Sequence, residues 1–302
     1  KHMNPWLAVL AMLVVGLLVG MFQGFWIAYI KVPPFIATLA GMYAFRGLSN
    51  VVLQGYAVSV SDTTYLNVFG GGADCYVPDF LGGGTVNMTC LLVGILLAVL
   101  YIAMTVKNRI SKKAKGYNTA PLATEVAKTV IISAVIIWLM YKLANYKGIP
   151  SALIWIAVVL LVYSYITNKT TTGRYLYAVG GNEKATRLSG VNTKNVYFFA
   201  YANMGLLAGL AGILTIARAA SAQPTYGQGY EMDAIAACFI GGASAYGGVG
   251  SVAGMVVGAT LMGVINQGMS IMGMEANYQK VVKGLVLLIA IIFDVMSKKE
   301  KK

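Results

Sequence analysis

Charge is what this chain has least of. Only 11% of its 302 residues are Asp, Glu, Lys or Arg, less than half of the roughly 25% usual in a soluble domain. Long uncharged runs and a mean hydropathy of +0.71 place it in a membrane. Histidine is reduced to His2, and the cysteines Cys75, Cys90 and Cys238 lack metal-ligand spacing. No constellation for metal, His or Cys catalysis results, and no cofactor is called for. A Gly-Lys-Ser/Thr phosphate loop is absent, so this chain does not hydrolyse ATP by that route. A cleavable signal peptide pattern is absent too. Acids are fewer than bases, 10 against 23, giving a net charge of +13. The cations lie between apolar runs and at the C-terminus, where positive-inside sorting puts them, which argues against a nucleic-acid partner. Cys75 and Cys90 flank one polar loop, so a disulfide and two free thiols both remain open.

What is present is a series of nine apolar segments, at 5–30, 33–53, 90–106, 129–145, 151–167, 197–217, 230–245, 252–272 and 278–296. Several reach the ~20 residues that a helix needs to cross hydrocarbon. The fold class is therefore all-α, a polytopic integral membrane bundle. The loop 107–128 carries six cations and one acid, the stretch 168–195 five and one, and the tail 298–302 four and one. All three belong on the cytoplasmic side. The loop 55–89 has three acids (Asp62, Asp74, Asp79) and no Lys or Arg, and belongs outside. An even number of crossings must then separate the loop at 168–196 from the tail, so 230–245 has to cross despite its length. A short crossing segment with Asp233 near one end reads as a broken helix, as transporters use.

"GLLVGMFQGFWIAYI" (16–30) resembles "GMVVGATLMGVINQG" (254–268). By the count of crossings, the two copies run in opposite directions, an inverted repeat of the transporter kind. The alternative is that glycine-rich spans look alike because small residues let helices approach. The second copy is preceded by 197–217 and 230–245 and the first by almost nothing, so two or more helices are expected upstream of Lys1.

Five motifs in register carry a family resemblance: "KVPPFIATLAGMYAFRG", "GRYLYAVGGNEKATRLSGVNTKNVYF", "GLLAGLAGILTIAR", "YEMDAIAACFIGGASAYGGVGSVAGMVVGA" and "VVKGLVLLIAIIFDV". Together they resemble the permease subunit of bacterial monosaccharide ABC importers, the ribose, xylose and galactose class, nearest its xylose or multiple-sugar branch. The family's upstream Gly-Gly-Ile-Asp-Leu-Ser type motif does not occur here. The resemblance implies one transmembrane permease domain over 1–302, in a bacterial cytoplasmic (inner) membrane. It implies a second permease copy, a cytoplasmic ATP-binding subunit and a periplasmic or lipid-anchored sugar-binding protein, with ATP hydrolysis left to the partner. A nucleoside or signalling-sugar permease of the same type is the nearest alternative. An ion-coupled secondary transporter is further off, since it needs ionisable residues at mid-bilayer.

One polar stretch interrupts the apolar chain, and within it Asn182, Glu183, Lys184, Ala185, Thr186, Arg187, Leu188, Ser189 and Gly190 read as a two-turn helix. Asn182 is a good N-cap, Glu183 suits the first turn, Glu183 and Arg187 are spaced to pair, and Gly190 suits a stop. So short a helix is unstable alone in water and needs a scaffold. A solvated connector is the bland reading. The resemblance implies the coupling helix that docks into the ATPase.

Polar residues inside apolar segments are candidates for the substrate path: Asn203, Asp233, Asn266 and Gln267, with Gln223 and Tyr226 in the loop before the short span. Hydrogen bonding between helices is the competing account of each. Asp233 is expected to cap the short helix, together with Glu231. "GGASAYGGVG" (241–250) follows no strand, which excludes a dinucleotide loop.

Overall fold

A computed structural model describes residues 4–72, 74–82, 84, 86–116 and 121–299. The described residues form α1 (Pro5–Ala28), α2 (Pro34–Leu53), β1 (Val58–Ser59), α3 (Thr63–Phe69), α4 (Met88–Ala114), α5 (Leu122–Ala144), α6 (Ser151–Lys169), α7 (Thr171–Gly181), α8 (Glu183–Leu188), α9 (Thr193–Ala219), β2 (Ser221–Ala222), α10 (Tyr230–Ile240), α11 (Val252–Ile271) and α12 (Ala276–Lys299). The basic end of the tail from Glu300 lies outside the described residues.

The ends of these helices follow from local chemistry. Asn4 accepts from the Trp6 amide at 3.0 Å just before Pro5, and Asn87 caps α4 through the Cys90 amide at 2.9 Å. Ser251 caps α11 through the Gly254 amide. Pro34 begins α2 with no side-chain cap, since its missing N–H would have been unsatisfied anyway.

Among the described residues, seven helices have the length and apolar composition to cross a bilayer: α1, α2, α4, α5, α6, α9 and α11. Their apolar side chains face outward, as with Leu161 at 72% exposure, the pattern of a lipid-facing surface. The nine segments expected from the sequence all occur as helices, but α10 and α12 stand outside the seven. At 11 residues, α10 rises only ~16 Å, about half of the hydrocarbon thickness. The helix α12 carries Lys280 and Lys283 in its first turns. Two helices were not anticipated, α3 and α7. The basic loop expected from 107 starts instead as the last turns of α4, which run to Ala114.

The chain divides into two compact units, 61–156 and the remainder. In the unit 61–156, Asp62 caps α3, and Phe69 stacks on Trp155 at 5.2 Å. Trp155 Nε1 donates to the Val68 carbonyl at 3.0 Å. Burial in this patch pushes the Tyr65 phenol up to about 12. Cys75 and Cys90 are free thiols. Cys90 is buried with Ala144 and Ile149 and donates to the Met140 carbonyl at 3.4 Å. Arg109 pairs with Glu125 across the α4–α5 hairpin.

The other unit is built on glycine contacts. A Cβ on Gly205 would lie 2.3 Å from the Gly16 carbonyl oxygen and 2.6 Å from the Gly20 Cα, so α1 and α9 touch backbone to backbone. In α11, a Cβ on Gly258 would lie 2.0 Å from the Ala237 carbonyl oxygen of α10. The glycines Gly16 and Gly20 in one copy, and Gly254 and Gly258 in the other, are thus packing faces that meet different partners. Ala236, Ala237 and Met262 form the core between α10 and α11, with Val286 and Leu287 of α12 packed on it. The antiparallel pair β1–β2 joins Val58 to Ala222.

Candidate functional site

One end of this larger unit collects residues from five separate stretches of sequence. Thr170 caps α7, and α7 leads without a loop into α8, because Asn182 serves as C-cap of the first and N-cap of the second. Its extended backbone, at a φ of −157°, separates the two helices while its side chain accepts from the Ala185 amide at 3.0 Å. Gly190, at φ +86°, stops α8 as expected.

The inner face of α8 is anchored. Thr186 is buried, with its hydroxyl on the Asn182 carbonyl at 2.8 Å. Glu183 accepts from the Thr193 hydroxyl at 3.3 Å and the Tyr197 hydroxyl at 3.1 Å, both on α9. Lys31 stands 3.5 Å from the same carboxylate. The expected Glu183–Arg187 pair is therefore corrected: Glu183 turns inward to α9 and Lys31, where three donors converge. Lys31, Thr193 and Tyr197 escaped the sequence reading because nothing in their spacing ties them to position 183. The outer face, Lys184, Ala185, Arg187 and Leu188, is exposed, and Leu188 is 90% exposed. A cavity of about 460 Å³ opens beside it, lined among others by Tyr175, Ser189 and Asn192.

The seat of this elbow is the glycine loop. A Cβ on Gly247 would lie 2.5 Å from the Gly180 carbonyl oxygen, and one on Gly248 would lie 2.6 Å from the Gly181 Cα. The Tyr177 hydroxyl donates to the Gly250 carbonyl at 3.0 Å. Asp294, near the end of α12, accepts from the Ala245 amide at 3.3 Å.

The candidates for the substrate path separate into distinct places. Asn203 accepts from the Tyr163 hydroxyl, which joins α9 to α6. Gln223 and Tyr226 line a cavity of about 420 Å³ at the opposite end, with Ser49, Thr215 and Tyr230. Gln267 is exposed on α11 and joins neither group. Asp233 and Asn266 meet: Asp233 Oδ2 accepts from Asn266 at 3.2 Å and from Lys283 at 2.8 Å. The other oxygens of both, Asp233 Oδ1 and Asn266 Oδ1, are buried without a donor. The expectation that Asp233 caps α10 is overturned. Gly229 starts this helix at φ +85° with no side-chain cap. It is Glu231 that reaches back, accepting from the Gly229 amide at 3.0 Å while pairing with Arg46 at 3.1 Å. Asp233 sits too far into the first turn and points sideways to α11 and α12. Lys283 was missed, although a lysine within an apolar segment was the available signal.

Comparison with known proteins gives the family of the chain. The family described as branched-chain amino acid transport system / permease component matches residues 2–78 and 79–291. The xylose transport system permease protein XylH of Haemophilus influenzae is 35% identical over 292 residues, covering 97% of this chain and 75% of the relative. Its counterpart in Escherichia coli K12 is 34% identical over 293 residues, 97% of this chain and 72% of the relative. The ribose import permease protein RbsC of Escherichia coli K12 is 46% identical over 147 residues, 49% of this chain and 46% of the relative. No solved structure gave a significant match. A family match over nearly the whole chain, with relatives covered along most of their length, shows that this multi-pass membrane protein belongs to the family of branched-chain amino acid transport system permease components.

Proposed function

We propose that the chain is the membrane-spanning subunit of an ATP-driven importer that moves a monosaccharide, with a pentose as the best candidate, into the cell. The relatives named for xylose and ribose support the sugar. The observation that carries the mechanism is the two-faced helix α8. Glu183 fastens it to α9 and Lys31 and Thr186 is buried, while Arg187 and the 90% exposed Leu188 are held outward at no packing benefit to this chain. A large apolar side chain presented so far from its own core fits a partner's cleft. That partner is the cytoplasmic ATP-binding subunit. Its closure on ATP draws the α8 helices of two permease copies together and changes which side of the bundle is open.

At the other end, the cavity holding Gln223, Tyr226 and Tyr230 offers an amide and aromatic faces to a neutral polyol. It is open and has no charged side chain on Gln223 or its neighbours, so it suits the entry of a sugar released by a binding protein. The buried oxygens of Asp233 and Asn266 are further acceptors for sugar hydroxyls once the bundle opens. Selectivity then rests mainly with the binding protein.

Reconstitution of the full-length permease with its ATP-binding subunit and binding protein tests this. Uptake of labelled xylose or ribose, with ATP hydrolysis stimulated by the loaded binding protein, is expected. Uptake of leucine in place of pentoses would move the substrate to the class in the family's description. Leu188→Asp and Arg187→Glu are expected to insert normally and to lose both stimulated hydrolysis and uptake. Undiminished uptake in both would overturn the role of α8.

A further inference from the structure

The glycine loop between α10 and α11 has no part in the scheme so far, yet it is where the α7–α8 elbow rests. We propose that this loop, residues 241–251, is the relay through which a displacement of α8 reaches the broken helix α10. The inference rests on reading α8 as the helix that the ATP-binding subunit moves.

The argument is mechanical. Asn182 belongs to both α7 and α8, so the two helices have no slack between them. The last turn of α7 meets the loop backbone to backbone. A Cβ on Gly180 would lie 2.7 Å from the Gly248 amide nitrogen, and one on Gly248 only 2.6 Å from the Gly181 Cα. With no side chain between them, neither segment can shift by changing a rotamer. The Tyr177 hydroxyl on the Gly250 carbonyl adds a fastening one turn earlier, so a pull is transmitted as well as a push.

The loop is stiff enough to pass the movement on. Ser244 N–H donates to the Val249 carbonyl at 3.0 Å and Gly247 N–H to the Ser244 carbonyl at 3.1 Å, closing it on itself. Both of its ends are gripped together, since a Cβ on Gly254 would lie 2.0 Å from the Gly241 carbonyl oxygen. The loop therefore moves the start of α11 and the end of α10 as one piece. Along α10 lies Asp233, held to Lys283 on α12 and Asn266 on α11. A shift arriving at Gly241 strains that three-way junction, which already contains two buried acceptors without donors. Small shifts become state changes where packing is bistable rather than elastic.

The test uses the complete transporter, permease with ATP-binding subunit and binding protein, in proteoliposomes, with labelled xylose as the probe. Two variants are compared. Gly248→Ala puts a Cβ into the seat at a φ of +73°, and Tyr177→Phe removes one hydroxyl and nothing else. Both are expected to keep the ATP-binding subunit in the purified complex while xylose taken up per ATP hydrolysed falls, about fivefold for the single lost hydrogen bond. If Gly248→Ala fails to reach the membrane, Tyr177→Phe decides alone. An unchanged uptake per ATP overturns the relay. So does loss of the ATP-binding subunit from the Tyr177→Phe complex, because that places Tyr177 in the docking surface. A wild-type permease that binds no ATP-binding subunit refutes the reading of α8 itself, and the relay with it.

Discussion

Asp233, Lys283 and Asn266 show how a few atoms set the character of a membrane bundle. A carboxylate and an ammonium among apolar helices are tolerated because they face each other at 2.8 Å and not lipid. Lys283→Met leaves the carboxylate of Asp233 without its counter-charge, and Asp233→Asn strands the ammonium. Each single change is expected to lower stability by about 2 to 3 kcal/mol, since a lost partner leaves an uncompensated charge. The double variant Asp233→Asn/Lys283→Met is expected to regain most of that loss. Thermal unfolding in detergent of all four proteins gives the coupling energy directly. Purely additive losses would mean that the pair carries no stabilisation of its own.

Glu183 makes the same point at the surface. Local spacing connects it to Arg187, four residues on, and the chain does otherwise because Thr193, Tyr197 and Lys31 offer a better-placed set of donors. Such a choice between partners is invisible without the tertiary contacts. Gly190, set by its backbone angle, and Asn182, set by its side-chain cap, act over a few neighbouring residues and were legible.

Among the elements, the α1–α9 pair rests on glycine and so is the most sensitive to added volume. Gly205→Leu forces a side chain into the backbone of Gly16 and Gly20. Overpacking of this kind is expected to cost about 3 kcal/mol or more. Gly263→Leu is the matched control, since a Cβ there meets nothing within 4 Å, and it is expected to be nearly neutral. Melting temperatures of the two purified variants check this, and equal losses would remove the argument. Apolar runs, caps and prolines made the long helices legible. The short ones, α3 and α7, were not, because seven and eleven residues leave too few turns for a periodic signal. The glycine loop stood out in the sequence, but its use as a seat depends on Gly180 and Gly181, which lie in another helix.

For the whole molecule, the distribution of charge predicts how the chain lies in the membrane. Along α4, 27 residues separate its outer start from its basic end by ~40 Å, enough to span the bilayer. In a background without native cysteines, Phe80→Cys is expected to react with a membrane-impermeant thiol reagent applied from outside. Lys113→Cys is expected to react only after the membrane is opened. The reverse pattern would invert the orientation set by the positive-inside rule.

The sequence by itself determined that this is a polytopic helical membrane protein and which transporter family it resembles, and it predicts which way its loops face. Those properties follow from hydrophobicity, charge and local capping, all of which act over one helix or less. Only the tertiary structure decided that Glu183 belongs to Lys31, that Asp233 is tied to Lys283 rather than capping α10, and that α7 rests on the glycine loop. These contacts join residues far apart in the chain, 50 positions for Asp233 and Lys283 and 73 for Tyr177 and Gly250. Which distant donor reaches a given acceptor is settled by how closely the helices pack, and here glycine sets that distance.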